Sequence, residues 1–130
     1  MHTIELQCPT LSVQIVGEES LVEGELPYTG VVSFRGIPYA SVSKRWTQSS
    51  IQHSLSGSPL FDATQFGAKC PQPPHISLIQ VAATPAVVEI DEFRCLNLNI
   101  TAPSAHVRGD AEGTQSGESH LLPVMVWVHG

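Results

Sequence analysis

The sequence predicts an α/β architecture of which residues 1–130 supply mainly strands and loops: an antiparallel meander followed by the first strands of a central sheet. Three observations predict it. The opening third alternates apolar and polar residues between Gly and Pro punctuation, CLNLNIT (95–101) alternates at period 2, and the final VMVWVHG is apolar throughout. A continuous apolar, β-branched run marks a strand covered on both faces, and helices on either side of a sheet are the usual cover. The chain shows no heptad, internal repeat or long amphipathic helix, so that cover is expected outside these residues.

Taken in order, TLSVQIVG (10–17) and VVSFRGIPYA (31–40) are expected strands joined through ELPYTG, a turn-rich stretch. Serine-rich Ser41 to Ser58 has little periodicity and reads as loop, as does the region of Pro71, Pro73 and Pro74 after Cys70. Ile76 to Ile90 is apolar but contains Pro85, which removes a helical hydrogen bond, leaving room for a helical turn or two before Thr84. In CLNLNIT, Cys95, Asn97, Asn99 and Thr101 share one face and Leu96, Leu98 and Ile100 the other, as in a strand buried on one side. SAHVRGDAEGTQSGESH (104–120) reads as an exposed loop. Within the last strand, Trp127 alternates with Met125 and is expected in a core. Burying Val124 to Val128 is worth about 8 to 15 kcal/mol, as much as the whole stability of a domain, about 5 to 15 kcal/mol. A chain that leaves them open is expected to be partly disordered or to associate through that edge.

Composition narrows the function. Charged residues make up 14%, against roughly 25% in ordinary soluble domains, and the net charge of -6 comes without any cluster of Lys or Arg. That argues against nucleic acid and anionic lipid as partners and favours a neutral one. Met1 to Cys8 lacks the features of a secretory signal, and no segment has the apolar length of a membrane span. The chain reads as soluble, with compartment and oligomeric state open. Cys8, Cys70 and Cys95 have neither CxxC spacing nor histidine partners, so no metal and no cofactor is expected. Three cysteines fit one disulfide plus a free thiol, or three reduced thiols.

Four segments in order, FRGIPYA (34–40), DATQFGAKCPQP (62–73), CLNLNITAP (95–103) and LPVMVWVHG (122–130), resemble the N-terminal part of a type B carboxylesterase, the α/β-hydrolase family that includes the cholinesterases. The likeness runs from about Leu11 to Gly130, and its motifs mark structure rather than catalysis. It implies that residues 1–130 are an incomplete N-terminal part of a carboxylesterase type B domain. In that family the apolar strand enters a His-Gly-Gly-Gly turn whose later backbone N–H groups form the oxyanion hole, glycine allowing the backbone to approach the substrate carbonyl. His129 and Gly130 match its first two positions. The G-x-S-x-G nucleophile elbow, the acid and the histidine would all follow Gly130. Gly117-Glu118-Ser119-His120-Leu121 is a near miss. It lacks the closing glycine, precedes the oxyanion strand and sits in a polar loop, so Ser119 reads as a solvated serine.

The resemblance further implies a Cys70–Cys95 disulfide, with Cys8 left free, worth about 3.5 kcal/mol by loop closure. Where the family usually has Glu-Asp before the second cysteine, this chain has Phe93-Arg94, which removes the expected acidic partner of the arginine matched by Arg45. Asp91 or Glu92 is expected to substitute. Asn99-Ile100-Thr101 is a candidate glycosylation sequon, on a strand and so a poorer acceptor than one in a loop. Arg108-Gly109-Asp110 and the scattered histidines read as chance surface features. The activity implied for the intact protein is serine acyl transfer on small neutral carboxylic esters. The alternative is a non-catalytic adhesion or binding member of the same fold family, since fold alone does not settle function.

Overall fold

Period-2 alternation dictates the first pairings. The computed structural model describes residues 2–21, 30–55, 59–72, 89–108 and 121–128. Strand β1 (His2–Cys8) turns through Pro9–Ser12 into β2 (Val13–Leu21), pairing antiparallel from His2 opposite Glu19 to Cys8 opposite Val13. The Leu11 N–H donates to the Cys8 carbonyl at 3.3 Å, closing the turn. β2 pairs antiparallel with β3 (Gly30–Pro38) over Glu18–Leu21, and β3 pairs with β7 (Asn97–Pro103). The expected meander is therefore present. It carries one strand more than the sequence reading: β1, whose Ile4, Leu6 and Cys8 alternate.

β3 parts from β2 beyond Ser33, and β6 (Leu60–Asp62) takes its place, parallel to Gln14–Val16. Ala63, fully buried, seals the fork: its N–H donates to the Val16 carbonyl at 2.9 Å and its carbonyl accepts from the Arg35 N–H at 2.7 Å. β4 (Ala40–Ser41) and β5 (Ser50–Ile51) form a small antiparallel pair within the stretch read as loop.

One face of the sheet carries the core. Val13, Ile15, Val32, Phe34, Ile37, Leu11 and Ala63 are buried together, with Ile4, Cys8, Phe61 and Val107 at the margin. Gly17 lies under the Phe34 ring, where a Cβ would stand 2.5 Å from the ring carbon Cε1. The β3–β7 register shifts between Phe34 and Ile37. In this bulge Gly36 has φ of 66° and its N–H donates to Asn99 Oδ1 at 2.9 Å. A Cβ on Gly36 would meet the Gly67 backbone nitrogen at 2.8 Å, so space and φ both demand glycine.

The structure corrects four expectations. Strand β7 begins at Asn97 rather than Cys95. Register places Leu98 opposite Ile37 and Ile100 opposite Phe34, on the core side, yet they are 38% and 46% exposed. The alternation is right but the burial is not, because β7 has no neighbour on its far side among the described residues. Ser104–Arg108 is a short helix, α1, where a loop was expected. Tertiary contacts hold it: Val107 packs on the core, and Arg108 pairs with Glu19, a carboxylate buried at the end of β2's core face. Finally, Leu121–Val128 joins no sheet among the described residues, and Met125 and Trp127 are 90% and 84% exposed. A strand needs neighbours for its backbone groups and for both faces, and among the described residues no strand pairs with it. The run from Ile76 falls outside the described residues up to Val88.

Gly36→Ala is expected to lower stability by about 2 to 4 kcal/mol, combining a left-handed backbone with a backbone clash; Gly17→Ala should cost about 1 to 3 kcal/mol through displacement of Phe34. Urea unfolding followed by circular dichroism measures both. The open apolar segment should drive concentration-dependent self-association, which Met125→Lys combined with Val126→Lys relieves; sedimentation velocity of the two chains checks it.

Candidate functional site

His129 and Gly130, the start of the expected oxyanion turn, lie outside the described residues, as does Ser119. The exposed segment Leu121–Val128 leads directly to them. Arg108 is described and engaged with Glu19, while Gly109 and Asp110 are not described. The remaining residues singled out from sequence, Arg45, Cys70, Cys95 and Asn99, converge on the end of the sheet beside the β3 bulge.

Residues 89–95 organise that region. Asp91 Oδ1 accepts the N–H groups of Phe93 at 2.8 Å and Arg94 at 3.2 Å, capping a tight turn, while Oδ2 accepts from Arg94 Nε at 2.7 Å. Arg94 also pairs with Glu89. The turn projects Glu92 towards Arg45, which binds it bidentately: Nε to Oε2 at 2.5 Å and Nη2 to Oε1 at 2.8 Å. Of the two expected substitutes, Glu92 takes the role and Asp91 caps the turn. The Arg45 hydrogen bonds hold the Glu92 carboxyl below the usual glutamate range, and Arg94 with the turn N–H groups does the same for Asp91.

At Glu19, burial pushes the carboxyl up, but Arg108 and the dipole of the adjacent Ser104 hydroxyl outweigh it and leave it lowered. Ser104 Oγ is itself buried without a hydrogen bond of good geometry, so it acts here as a neighbouring dipole. A carboxyl lowered on folding stabilises the fold fully above its ordinary range, and that contribution is lost as pH falls through the lowered value.

The two cysteine arms are stitched together around this turn. Lys69 bridges in parallel to Ile90, its N–H donating to the Glu89 carbonyl at 2.8 Å and its carbonyl accepting from Asp91 N–H at 3.1 Å. Asn97 Nδ2 donates to the Ala68 carbonyl at 3.0 Å and the Arg94 carbonyl at 3.1 Å. Its amide lies against Gly67, where a Cβ would stand 2.5 Å away. Cys8, Cys70 and Cys95 are free thiols. The half-buried Cys95 thiol donates to the Glu92 carbonyl at 3.5 Å. Burial, the neighbouring Cys70 sulfur and the Asp91 charge push its pKa up. So the structure brings Cys70 and Cys95 together as a thiol pair. Asn99 is exposed, with its carbonyl oxygen committed to the bulge.

Beside these arms lies an open groove of 420 Å³ lined by Pro38, Phe61, Phe66 and Phe93 with Gln52 and Asn97. Arg35 stiffens its rim. Nη1 donates to Glu18 Oε2 at 2.5 Å and to the Thr64 carbonyl at 2.9 Å, and the guanidinium lies 5.1 Å from the Phe66 ring centre. Among the described residues no group of three His, Cys, Asp or Glu side chains could hold a metal, and no helix is long and apolar enough to cross a membrane. The hydrogen bonds of this region position backbone. Asn97 and Glu19 were not singled out from sequence, and Asp91 was expected as a partner of Arg45 rather than as the turn cap it is. Only the N-x-N spacing of CLNLNI hinted at the first.

The described residues thus form a strand meander ending in a bulge, with the two cysteine arms braced beside it. The sequence model of the carboxylesterase family matches residues 5–130. Lipase 1 of Yarrowia lipolytica (strain CLIB 122 / E 150) is 33% identical over 101 residues, covering 78% of this chain and 18% of the lipase. Para-nitrobenzyl esterase of Bacillus subtilis (strain 168) is 31% identical over 102 residues, covering 78% of this chain and 18% of that enzyme. The chain belongs to the carboxylesterase family. It spans less than a fifth of the length of these relatives, 18% of each.

Arg45→Ala should return the Glu92 carboxyl to the ordinary glutamate range while leaving Asp91 lowered, because Asp91 answers to Arg94. Carbon-detected NMR titration of the two carboxyls reads this; a Glu92 that stays low without Arg45 refutes the assignment.

Proposed function

We propose that residues 1–130 are the N-terminal part of a serine hydrolase domain that cleaves small neutral carboxylic esters, and that this part alone does not turn over. The observation that carries the proposal is the family match over residues 5–130, reaching the His129-Gly130 pair at the end of the apolar segment. The names of the two relatives, a lipase and an esterase, point to the same ester chemistry.

In this reading a serine oxygen attacks the ester carbonyl, a histidine takes its proton and returns it to the leaving alcohol, and backbone N–H groups receive the oxyanion. Each such donor is worth about 3 to 4 kcal/mol to the transition state. His129 and Gly130 open the turn that carries the donors, and the triad belongs to residues after Gly130. The present residues supply one wall of the domain and the strand that aims the turn. Low charge and the absence of a basic cluster suit a neutral substrate. We also propose that Cys70 and Cys95 form a disulfide under oxidising conditions, supported by their placement side by side.

The test compares this chain with the product of its transcript extended past Gly130, both assayed with 4-nitrophenyl butyrate. Turnover by the longer product and none by the 130 residues is expected. An extended product that has no elbow serine and no activity would place the chain with the non-catalytic members of the fold. Activity in the short chain that disappears in Ser119→Ala would overturn the proposal outright.

A further inference from the structure

The two thiols of the Cys70–Cys95 pair are not equivalent. Cys70 is exposed, on the arm that follows the exposed Lys69. Cys95 is half-buried behind the Asp91 turn, with its S–H engaged by the Glu92 carbonyl. An attacking small-molecule disulfide meets Cys70 at the surface, whereas reaching the half-buried Cys95 means breaking that hydrogen bond.

From this placement we infer that Cys70 is the entry point for thiol–disulfide exchange: a small disulfide such as oxidised glutathione first forms a mixed disulfide on Cys70, and Cys95 then closes the internal bond. The inference rests on the Cys70–Cys95 pairing proposed above. In the first step the Cys70 thiolate attacks one glutathione sulfur, the glutathione S–S bond breaks, and one glutathione leaves as thiolate. In the second, Cys95 gives up its proton and attacks the Cys70 sulfur, forming the intramolecular S–S bond and expelling the other glutathione. Two protein thiols lose two electrons and two protons; one oxidised glutathione becomes two reduced ones. Burial, the Cys70 sulfur and Asp91 all favour the protonated Cys95 thiol, so Cys95 is slow as a first nucleophile. Its proximity to Cys70 makes it effective as the second, because the step is intramolecular and exchange depends on access as much as on thiolate fraction.

The experiment incubates the reduced 130-residue chain, Cys95→Ser and Cys70→Ser with excess oxidised glutathione. Acid quenching, alkylation and peptide mass mapping then score each cysteine, Cys8 included, by itself. Cys95→Ser should accumulate a glutathione adduct on Cys70 at least about tenfold faster than Cys70→Ser accumulates one on Cys95, and the two rates should converge in denaturing urea. Equal rates in the native chains, or a faster Cys95, overturn the order of attack. The pairing is judged separately on the unsubstituted chain. A Cys70–Cys95 bond with Cys8 alkylated supports it, and an adduct that persists on Cys70 with Cys95 alkylated refutes it whatever the variants' rates.

Discussion

The bulge at Arg35-Gly36 is the constraint on which the described structure depends. By inserting extra backbone opposite Asn99 it bends β3 away from β2, and the opened fork admits β6 and Ala63. The same bend turns Arg35 out of the sheet and onto Glu18, the Thr64 carbonyl and the Phe66 ring. Gly36 then lies against Gly67, at the base of the arm that carries Cys70. One residue in the left-handed region thus sets the relative positions of the meander, the fork and the cysteine arms. Asn99 supplies the acceptor that the bulge's freed N–H requires.

Charge placement in the neighbouring turn shows how a local departure from a family pattern is absorbed. Phe93-Arg94 stands where the resemblance led one to expect Glu-Asp, yet Arg45 still finds a bidentate carboxylate, because the Asp91 cap rotates Glu92 towards it. Arg94 would add an unbalanced charge to the turn, and Glu89 and Asp91 neutralise it. Four charged side chains within six residues therefore brace the approach to Cys95. Each pair is largely solvent-exposed, so their value is in orientation more than in stability.

Apolar surface left open is the other side of the same architecture. Leu98 and Ile100 continue the core face of Val32 and Phe34 onto β7, an edge strand among the described residues, and Leu121–Val128 lies exposed along its whole length. Membership of the carboxylesterase family is consistent with both, since the matched region is only 18% of the relatives' length.

By itself the sequence determined the elements whose signal is local: the alternating meander, the period-2 alternation of CLNLNIT though not its burial, and, through ordered motifs, the family. Those signals survive without context because a strand's period is a property of the chain. Only the tertiary structure decided which carboxylate meets Arg45, that Glu19 is buried against Arg108, that Asn97 and Asn99 serve backbone groups about 29 and 63 positions away, and that Ser104–Arg108 coils into a helix. Each of these rests on groups brought close by folding across long stretches of sequence, and spacing along the chain carries no record of such distances.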